Sequence, residues 1–170
     1  IIAFFGFNSS FQGRAGLDDF KGELQAFIRH TLTRRYNGES APRLVLVSPT
    51  AFENLSAKHG TPDGTVANAN LSLYTEAMRE VAAANGALFV DLFAPTLGWQ
   101  GSGEEYTIDG ALLNDLGYRR LAPLLATAIF GEPKEVLPPR FEVAALAAAV
   151  HEKNWCWLNE YKMPNGVHSS

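Results

Sequence analysis

Apolar and polar positions follow one another along the chain in two patterns, one typical of buried strands and one of amphipathic helices. Apolar runs of strand length cover residues 1–7, 44–47 and 88–93, the last interrupted only by Asp91. Such runs without alternation are typical of parallel strands that are covered on both faces. Apolar residues at helical spacing mark residues 17–32, 71–82 and 116–130. The order of strands and helices predicts one parallel sheet with right-handed crossovers and helices on both faces.

The chain begins inside an apolar run and ends in a turn-rich segment. Ile1, Ile2 and Ala3 follow no methionine, cap or polar residue, and residues 165–170 close no element. Three strands alone also make a poor sheet of this type. We therefore expect a fragment of a larger chain, with N-terminal strands missing before residue 1 and further segments on both sides.

The C-terminal part differs in composition from the part that carries the strands. Residues 132–140 are rich in proline and predict a linker between a domain over 1–131 and a last helix with its tail over 141–170. The residues on or near one face of that helix are Val143, Leu146, Val150, Trp157 and Tyr161. Its aromatic residues either form a binding patch or pack on the sheet domain or on a following domain.

Composition narrows the classes of function. Of 170 residues, 46% are hydrophobic and 19% are charged, as in an ordinary soluble globular domain. The net charge of -4 argues against nucleic acid and anionic membrane surfaces as partners. No apolar run approaches the roughly 20 residues of a membrane span. Cys156 is the only cysteine, so no intrachain disulfide can form.

Ligands of open parallel sheets bind at the carboxyl ends of the strands. Asn8 follows the first predicted strand at that edge, in the segment Gly6-Phe7-Asn8. Its carboxamide can donate a hydrogen bond to a developing oxyanion. Alternatively, Asn8 only closes the turn through its own backbone.

A second segment at this edge covers residues 107–118, just before the third predicted helix. Asp109 within it can hold a catalytic imidazole, as the acid of a triad does. The alternative is a turn at Asp109-Gly110, with Asn114 or Asp115 capping the helix. The two interpretations are compatible.

These segments, in this order of elements, resemble the SGNH/GDSL hydrolase superfamily. In that superfamily a Gly-Asp-Ser segment supplies the nucleophile, and a glycine and the asparagine of a Gly-x-Asn segment complete the oxyanion hole. An Asp-x-x-His segment supplies the acid and the base. The resemblance covers about residues 1–131 and implies a three-layer, flavodoxin-like α/β fold. It also implies that Asn8 belongs to the oxyanion hole and that Asp109 is the triad acid.

Two further segments resemble one subgroup of the superfamily. The opening over residues 4–8 and the tail with Lys153-Asn154-Trp155 are similar to a subgroup found in large planctomycete-type bacterial proteins. The family resemblance suggests an exported protein. The sequence itself leaves the compartment open, because any targeting signal would lie before residue 1.

The chain departs from the superfamily pattern at residues that catalysis needs. It has neither the Gly-Asp-Ser nor the glycine segment, Ser9 stands where the family often has an acid, and Leu112 stands at the base histidine. The histidines are His30, His59, His151 and His168. Only His59, in the loop after the second strand, is expected at the correct sheet edge to substitute as base. No residues have metal-ligand spacing, so we expect neither a metal nor a cofactor.

Three functions follow from these observations. In the first, the chain is part of a serine esterase that hydrolyses an acyl or acetyl ester of a small molecule or carbohydrate. In the second, it is a degenerate domain that binds a ligand or partner without catalysis, which Leu112 favours. The third, an unrelated flavodoxin-like binding module, leaves the match over residues 109–118 unexplained. Fold alone cannot choose among them.

Overall fold

The computed structural model describes residues 1–132 and 143–161. The chain divides into two compact units, residues 1–132 and residues 133–170.

The first unit contains a parallel sheet. Its three strands are β1 (Ile2–Phe4), β2 (Val45–Val47) and β3 (Leu88–Val90), in the order β1-β2-β3. The register places Ala3 opposite Leu46, and Leu46 opposite Phe89. The prediction of a parallel sheet is confirmed.

Helices connect the strands and continue the chain after the last of them. They are α1 (Leu17–Leu32), α2 (Ser56–His59), α3 (Thr65–Ala84), α4 (Phe93–Leu97) and α5 (Asp115–Phe130), and a 3-10 helix covers Ser9–Gly16. α1 has the bounds that its apolar spacing predicts, because Phe20, Leu24 and Ile28 bury one face of the helix.

Helices cover both faces of the sheet, because successive side chains of a strand point to opposite sides. Leu46 of β2 packs in a cluster with Ile28 of α1 and Met78 of α3. The next residue, Val47, packs in a separate cluster with Leu121 of α5. α1 and α3 therefore lie on one face and α5 on the other. The predicted α/β fold, with helices on both faces of a parallel sheet, is confirmed.

The prediction of a fully buried strand over residues 1–7 is wrong in both length and burial. β1 contains only Ile2–Phe4, and the side chains of Ile2 and Phe4 are 48% and 56% exposed. Among the described residues, β1 pairs with β2 on one side and with no strand on the other. Ala3 is the β1 residue that packs against the cluster formed by α1 and α3. An apolar run alone does not reveal that its strand lies at a sheet edge.

The segment between the second predicted strand and the predicted helix over 71–82 contains helical structure. α3 begins at Thr65, six residues before its first predicted position, and α2 lies within the same segment. Gly64 has a left-handed φ of 78°, and a carboxylate oxygen of Asp63 accepts a 2.9 Å hydrogen bond from the Thr65 N–H. The turn signal at Pro62-Asp63-Gly64 therefore marks a helix start. The third predicted strand, over 88–93, is also shorter than predicted, because β3 ends at Val90 and α4 begins at Phe93.

The described part of the second unit is the helix α6 (Val143–Tyr161). Several of its apolar side chains are exposed, and they include Leu146, Val150 and Trp155. Except for Glu132, the predicted linker over 132–140 lies outside the described residues, as do residues 141–142 and the tail after 161. Within the described ranges, no helix combines the length and apolarity needed to cross a bilayer.

Candidate active site

An open cleft of about 790 Å³ lies at the carboxyl ends of the strands. Residues that follow each strand line it, with Gly6 after β1, Ser48 after β2 and Leu92 after β3. Asn8 and Leu112 also line this cleft. It is therefore built at the edge where ligands of open parallel sheets bind.

Asn8 sits in the turn that leads from β1 into the 3-10 helix. The turn is closed by Ser10, whose N–H donates to the Gly6 carbonyl at 2.9 Å and whose hydroxyl donates to the Phe7 carbonyl at 2.6 Å. Asn8 itself is exposed, and its side chain makes no capping hydrogen bond to the helix. Its carboxamide is therefore not required to close the turn, which leaves it available to a ligand in the cleft.

Gly6 allows the chain to turn sharply before Asn8. Its φ is +97°, a left-handed value that residues with a Cβ rarely adopt. A Cβ at this position would also lie 3.3 Å from the Met78 sulfur and 3.4 Å from Cδ of Pro49. The glycine of the Gly6-Phe7-Asn8 segment is thus needed for both backbone conformation and space.

Asp109 lies in a tight loop between two short antiparallel arms. Thr107 pairs with Leu113, and the Ile108 N–H donates to the Leu112 carbonyl at 2.8 Å. Oδ1 of Asp109 accepts hydrogen bonds from the backbone N–H groups of Leu112 at 2.8 Å and Ala111 at 2.9 Å. These donors favour the ionised carboxylate, so they hold the pKa of Asp109 below its usual range. Asp109 therefore closes its own turn and carries a negative charge at neutral pH.

Leu112 projects from this loop and is 63% exposed. It lines the same cleft as Asn8, and its N–H is bound to Asp109. An imidazole at position 112 would thus be attached to a backbone that the hydrogen bond to Asp109 already holds in place. Leucine has no proton to exchange, so the cleft has an acid beside it and no base at this position.

Asn114 caps α5, as one of the two sequence interpretations predicts. Its Oδ1 accepts a 2.9 Å hydrogen bond from the Gly117 N–H, and its Nδ2 donates to the Glu105 carbonyl at 2.8 Å. The Asn114 N–H also donates to the Tyr106 carbonyl at 2.9 Å. These bonds join the start of α5 to the segment before the Asp109 loop.

Glu53 was not identified from the sequence as a site residue. It follows β2 in a buried position, and its two carboxylate oxygens accept hydrogen bonds from the backbone N–H groups of Tyr106 and Thr107. The only sequence signal was an acidic residue in an otherwise apolar stretch at the ligand edge of the sheet. That signal does not reveal its partners, which lie more than fifty residues later.

His59, the candidate substitute base, contacts a different group. Its Nε2 lies 3.2 Å from Oε2 of Glu105, whose Oε1 is 2.6 Å from Nζ of Lys58. These two neighbours, Lys58 foremost, hold the pKa of Glu105 below its usual range. His59 does not line the cleft that Asn8 and Leu112 share. The structure thus brings Asn8, Leu112 and the Asp109 loop together and leaves His59 outside the group.

Neither a protein-family model nor a curated protein sequence matches the chain. Solved structures do match. A lipase/acylhydrolase from Enterococcus faecalis is 22% identical with a TM-score of 0.54, over 79% of this chain and 64% of that one. A catalytic mutant of an acetylxylan esterase from Geobacillus stearothermophilus is 15% identical with a TM-score of 0.56, over 77% and 59%. An α/β hydrolase from the metagenome of Lake Arreo, Spain, is 16% identical with a TM-score of 0.56, over 76% and 59%.

These likenesses show that the chain has the fold of solved ester hydrolases. The chain spans about three fifths of the length of those structures. The predicted α/β fold agrees with them, and membership of the SGNH superfamily stays a prediction. The planctomycete-type subgroup stays a prediction.

Proposed function

We propose that this chain is part of an ester hydrolase domain that cleaves an acyl or acetyl ester of a small molecule or carbohydrate by a serine mechanism. Asn8 donates a hydrogen bond to the oxyanion, and Asp109 is the acid that orients a base. The proposal requires a serine nucleophile from outside these 170 residues, because they contain no Gly-Asp-Ser segment. The same holds for the second oxyanion donor. Position 112 offers no base, so the natural protein should hydrolyse esters only slowly unless another histidine takes that role.

The observation that carries the proposal is the shared cleft of Asn8 and Leu112. The two residues are separated by more than a hundred positions, yet both line one cavity at the carboxyl ends of the strands. Asp109 is tied to the Leu112 backbone by a 2.8 Å hydrogen bond. An oxyanion donor that lines the cleft and an acid in the loop beside it suit acyl transfer, which needs both around one carbonyl group.

Each residue would act at a defined step. The serine oxygen attacks the ester carbon, the carbonyl electrons move onto oxygen, and a base takes the serine proton. The electrons then return, the ester C–O bond breaks, and the base passes the proton to the leaving alcohol, which leaves an acyl-serine. An N–H of the Asn8 side-chain carboxamide would donate a hydrogen bond to the negative oxygen and stabilise it. Asp109 would hold the base in place and favour its protonated form. Water then attacks the acyl-serine by the same steps, which releases the carboxylic acid and regenerates the serine.

The substrate class follows from the cleft and from the solved structures of similar fold. The cleft has apolar walls, to which Phe7, Leu92 and Leu121 contribute, and polar groups at Asn8 and Thr50. Apolar walls suit the acyl part of an ester, and a few polar groups suit its carbonyl. The names of the similar structures, a lipase/acylhydrolase and an acetylxylan esterase, also support acyl and acetyl esters.

A second candidate function rests on Leu112 itself. A leucine at the position of the base removes general-base assistance, which is typically worth about 10² to 10⁴ in rate. The domain would then bind a ligand or partner in the cleft without hydrolysing it. This alternative requires that no other residue replaces the missing base.

The decisive experiment restores a histidine in the parent protein that contains this chain. Leu112→His should raise hydrolysis of 4-nitrophenyl acetate by about 10² to 10⁴, because its imidazole would stand three residues after Asp109. Leu112→Asn, which is polar and cannot act as a base, is the matched control and should add little. If neither the natural protein nor Leu112→His hydrolyses any ester, the binding function becomes the better conclusion.

The same assay decides the role of His59. If His59 is the natural base, His59→Ala should abolish activity in the natural protein and Leu112→His should add little. We expect the opposite result, because His59 contacts Glu105 rather than the cleft. Strong natural activity that survives His59→Ala would contradict both choices of base.

A further inference from the structure

Glu53 is a buried carboxylate that takes no part in the proposed hydrolysis. Glu53 is only 9% exposed. Three hydrogen-bond donors contact its carboxylate. The N–H of Tyr106 lies 3.0 Å from each carboxylate oxygen, and the N–H and hydroxyl of Thr107 lie 2.7 and 2.5 Å from Oε2. Burying a carboxylate is costly unless it is fully hydrogen-bonded, so these contacts define where the Thr107 backbone must lie.

A second set of bonds extends from Glu53 to the residue after Asp109. The Glu53 N–H donates to the Gly110 carbonyl at 2.7 Å. The Thr107 hydroxyl, which donates to the Glu53 carboxylate, accepts a 3.1 Å hydrogen bond from the Gly110 N–H. Both the entry to the loop and its far side are thereby anchored to one residue. Asp109 lies between the two anchor points.

Within residues 1–132 and 143–161, no lysine, arginine or histidine forms an ion pair with Glu53. Among the described residues, the ion pairs of the neighbouring charged groups are those of Lys58 and His59 with Glu105. The negative charge of Glu53 is balanced by hydrogen-bond donors of the loop itself. Removing the charge of Glu53 should therefore change the conformation of the loop more than it changes any neighbouring ion pair.

We propose that Glu53 is a positioning residue, which holds the Asp109 loop in the conformation that presents Asp109 and residue 112 to the cleft. As a contribution to ester hydrolysis, this inference rests on the proposed function. As a statement about the loop, it can be tested without any catalysis.

The test of positioning is nuclear magnetic resonance of the full chain and its Glu53→Gln variant. Glutamine keeps the shape but turns one acceptor into a donor that faces backbone N–H groups. Hydrogen exchange of the Tyr106 and Thr107 amides should accelerate about tenfold or more, the loss expected for hydrogen bonds to a charged group. The Asp109 pKa should rise, because a loosened loop no longer keeps the Ala111 and Leu112 N–H groups on the carboxylate.

The direction of that shift separates positioning from simple charge. Removing a nearby negative charge without moving the loop would lower the pKa of Asp109. Glu104→Gln is the matched control, since Glu104 is an exposed acid on the same segment, with its carboxylate 3.3 Å from the Tyr106 hydroxyl. Glu104→Gln should leave the exchange rates of the Tyr106 and Thr107 amides unchanged and should not raise the pKa of Asp109. Unchanged exchange and an unchanged or lowered Asp109 pKa in Glu53→Gln would overturn the proposal.

A second variant covers the case in which Glu53→Gln does not fold. Thr107→Val keeps the side-chain shape and removes the hydroxyl that bridges Glu53 and Gly110. It should accelerate exchange at Gly110 and raise the Asp109 pKa in the same direction. If Thr107→Val folds and changes neither, the relay from Glu53 to the loop is disproved.

The catalytic part is measured in the Leu112→His parent protein. There, Glu53→Gln should lower kcat about 10-fold to 100-fold with little change in KM, because substrate binding does not involve Glu53. If the loop responds as expected and kcat does not, Glu53 positions the loop but not for catalysis, and the inference fails in that part. If Leu112→His itself is inactive while the loop responds, the proposed function fails and the positioning role stands.

Discussion

The backbone N–H of Leu112 donates a 2.8 Å hydrogen bond to Oδ1 of Asp109. The candidate acid therefore determines the backbone position of the residue that stands in place of the base. The Ala111 N–H donates to the same oxygen, so a change in the charge of Asp109 acts on two consecutive peptide groups. The loop should be sensitive to the protonation of this one carboxyl group.

Acid should loosen the Asp109 loop. The pKa of Asp109 is below its usual range in the folded chain because the Leu112 and Ala111 N–H groups stabilise the charged form. Its contribution to stability is then complete above the unfolded pKa, about 4, and is lost as pH falls through the lower folded value. A resonance titration should show the Ala111 and Leu112 amides moving with the Asp109 carboxyl, at a midpoint below that of ordinary aspartate. Asp109→Asn should abolish that shared transition, and a midpoint at or above the ordinary value would contradict the account.

Gly110→Ala should destabilise the chain more than a matched glycine replacement. Gly110 has a φ of +95°, and a Cβ there would lie 2.5 Å from Cε1 of Phe52 and 3.0 Å from the Glu53 carbonyl oxygen. Gly103 has a similar φ of +88° but open space around it. Because the two share the backbone strain, the difference between Gly110→Ala and Gly103→Ala isolates the contact, at about 1–3 kcal/mol. Equal free energies of unfolding for Gly110→Ala and Gly103→Ala in denaturant titrations would show that Gly110 is not closely packed against residues 52–53.

Local pattern was sufficient where an element buries one face against its neighbours. α1 and β2 could be predicted because apolar spacing at 17–32 and the run at 44–47 directly reflect burial. β1 could not, because the exposure of Ile2 and Phe4 depends on which strands lie beside it. The start of α3 at Thr65 was missed because a Pro-Asp-Gly turn and a helix entry share the same residues.

The candidate site was predictable in its outline and not in its supports. Asn8 and the segment of Asp109 follow from position at the carboxyl ends of strands and from resemblance to a family. Glu53 does not, because its bonds to Tyr106 and Thr107 join segments that only the folded chain brings together. The position of His59 also depended on α2, a helix that was not predicted and whose last residue is His59, with its ring beside Glu105.

Asn8 provides the sharpest test of the oxyanion role. In the Leu112→His parent protein, Asn8→Ala should lower kcat by about 10² to 10³ with little change in KM, because its donor acts on charge that develops only in the transition state. The melting temperature should stay the same, since the Asn8 side chain makes no capping hydrogen bond and Ser10 closes the turn.

If the Asn8 side chain were structural instead, Asn8→Ala would lower the melting temperature, and activity would fall along with it. Asn37 is a suitable control, because its Oδ1 accepts hydrogen bonds from the Glu39 and Ser40 N–H groups in an exposed loop outside the cleft. Asn37→Ala should leave kcat unchanged. Asn8→Asp has nearly the same shape as asparagine but loses the N–H donor and adds a negative charge toward the oxyanion, so its kcat should be no higher than that of Asn8→Ala. A loss of activity in Asn8→Ala that merely follows a lower melting temperature, or full activity in Asn8→Asp, would remove Asn8 from the oxyanion hole.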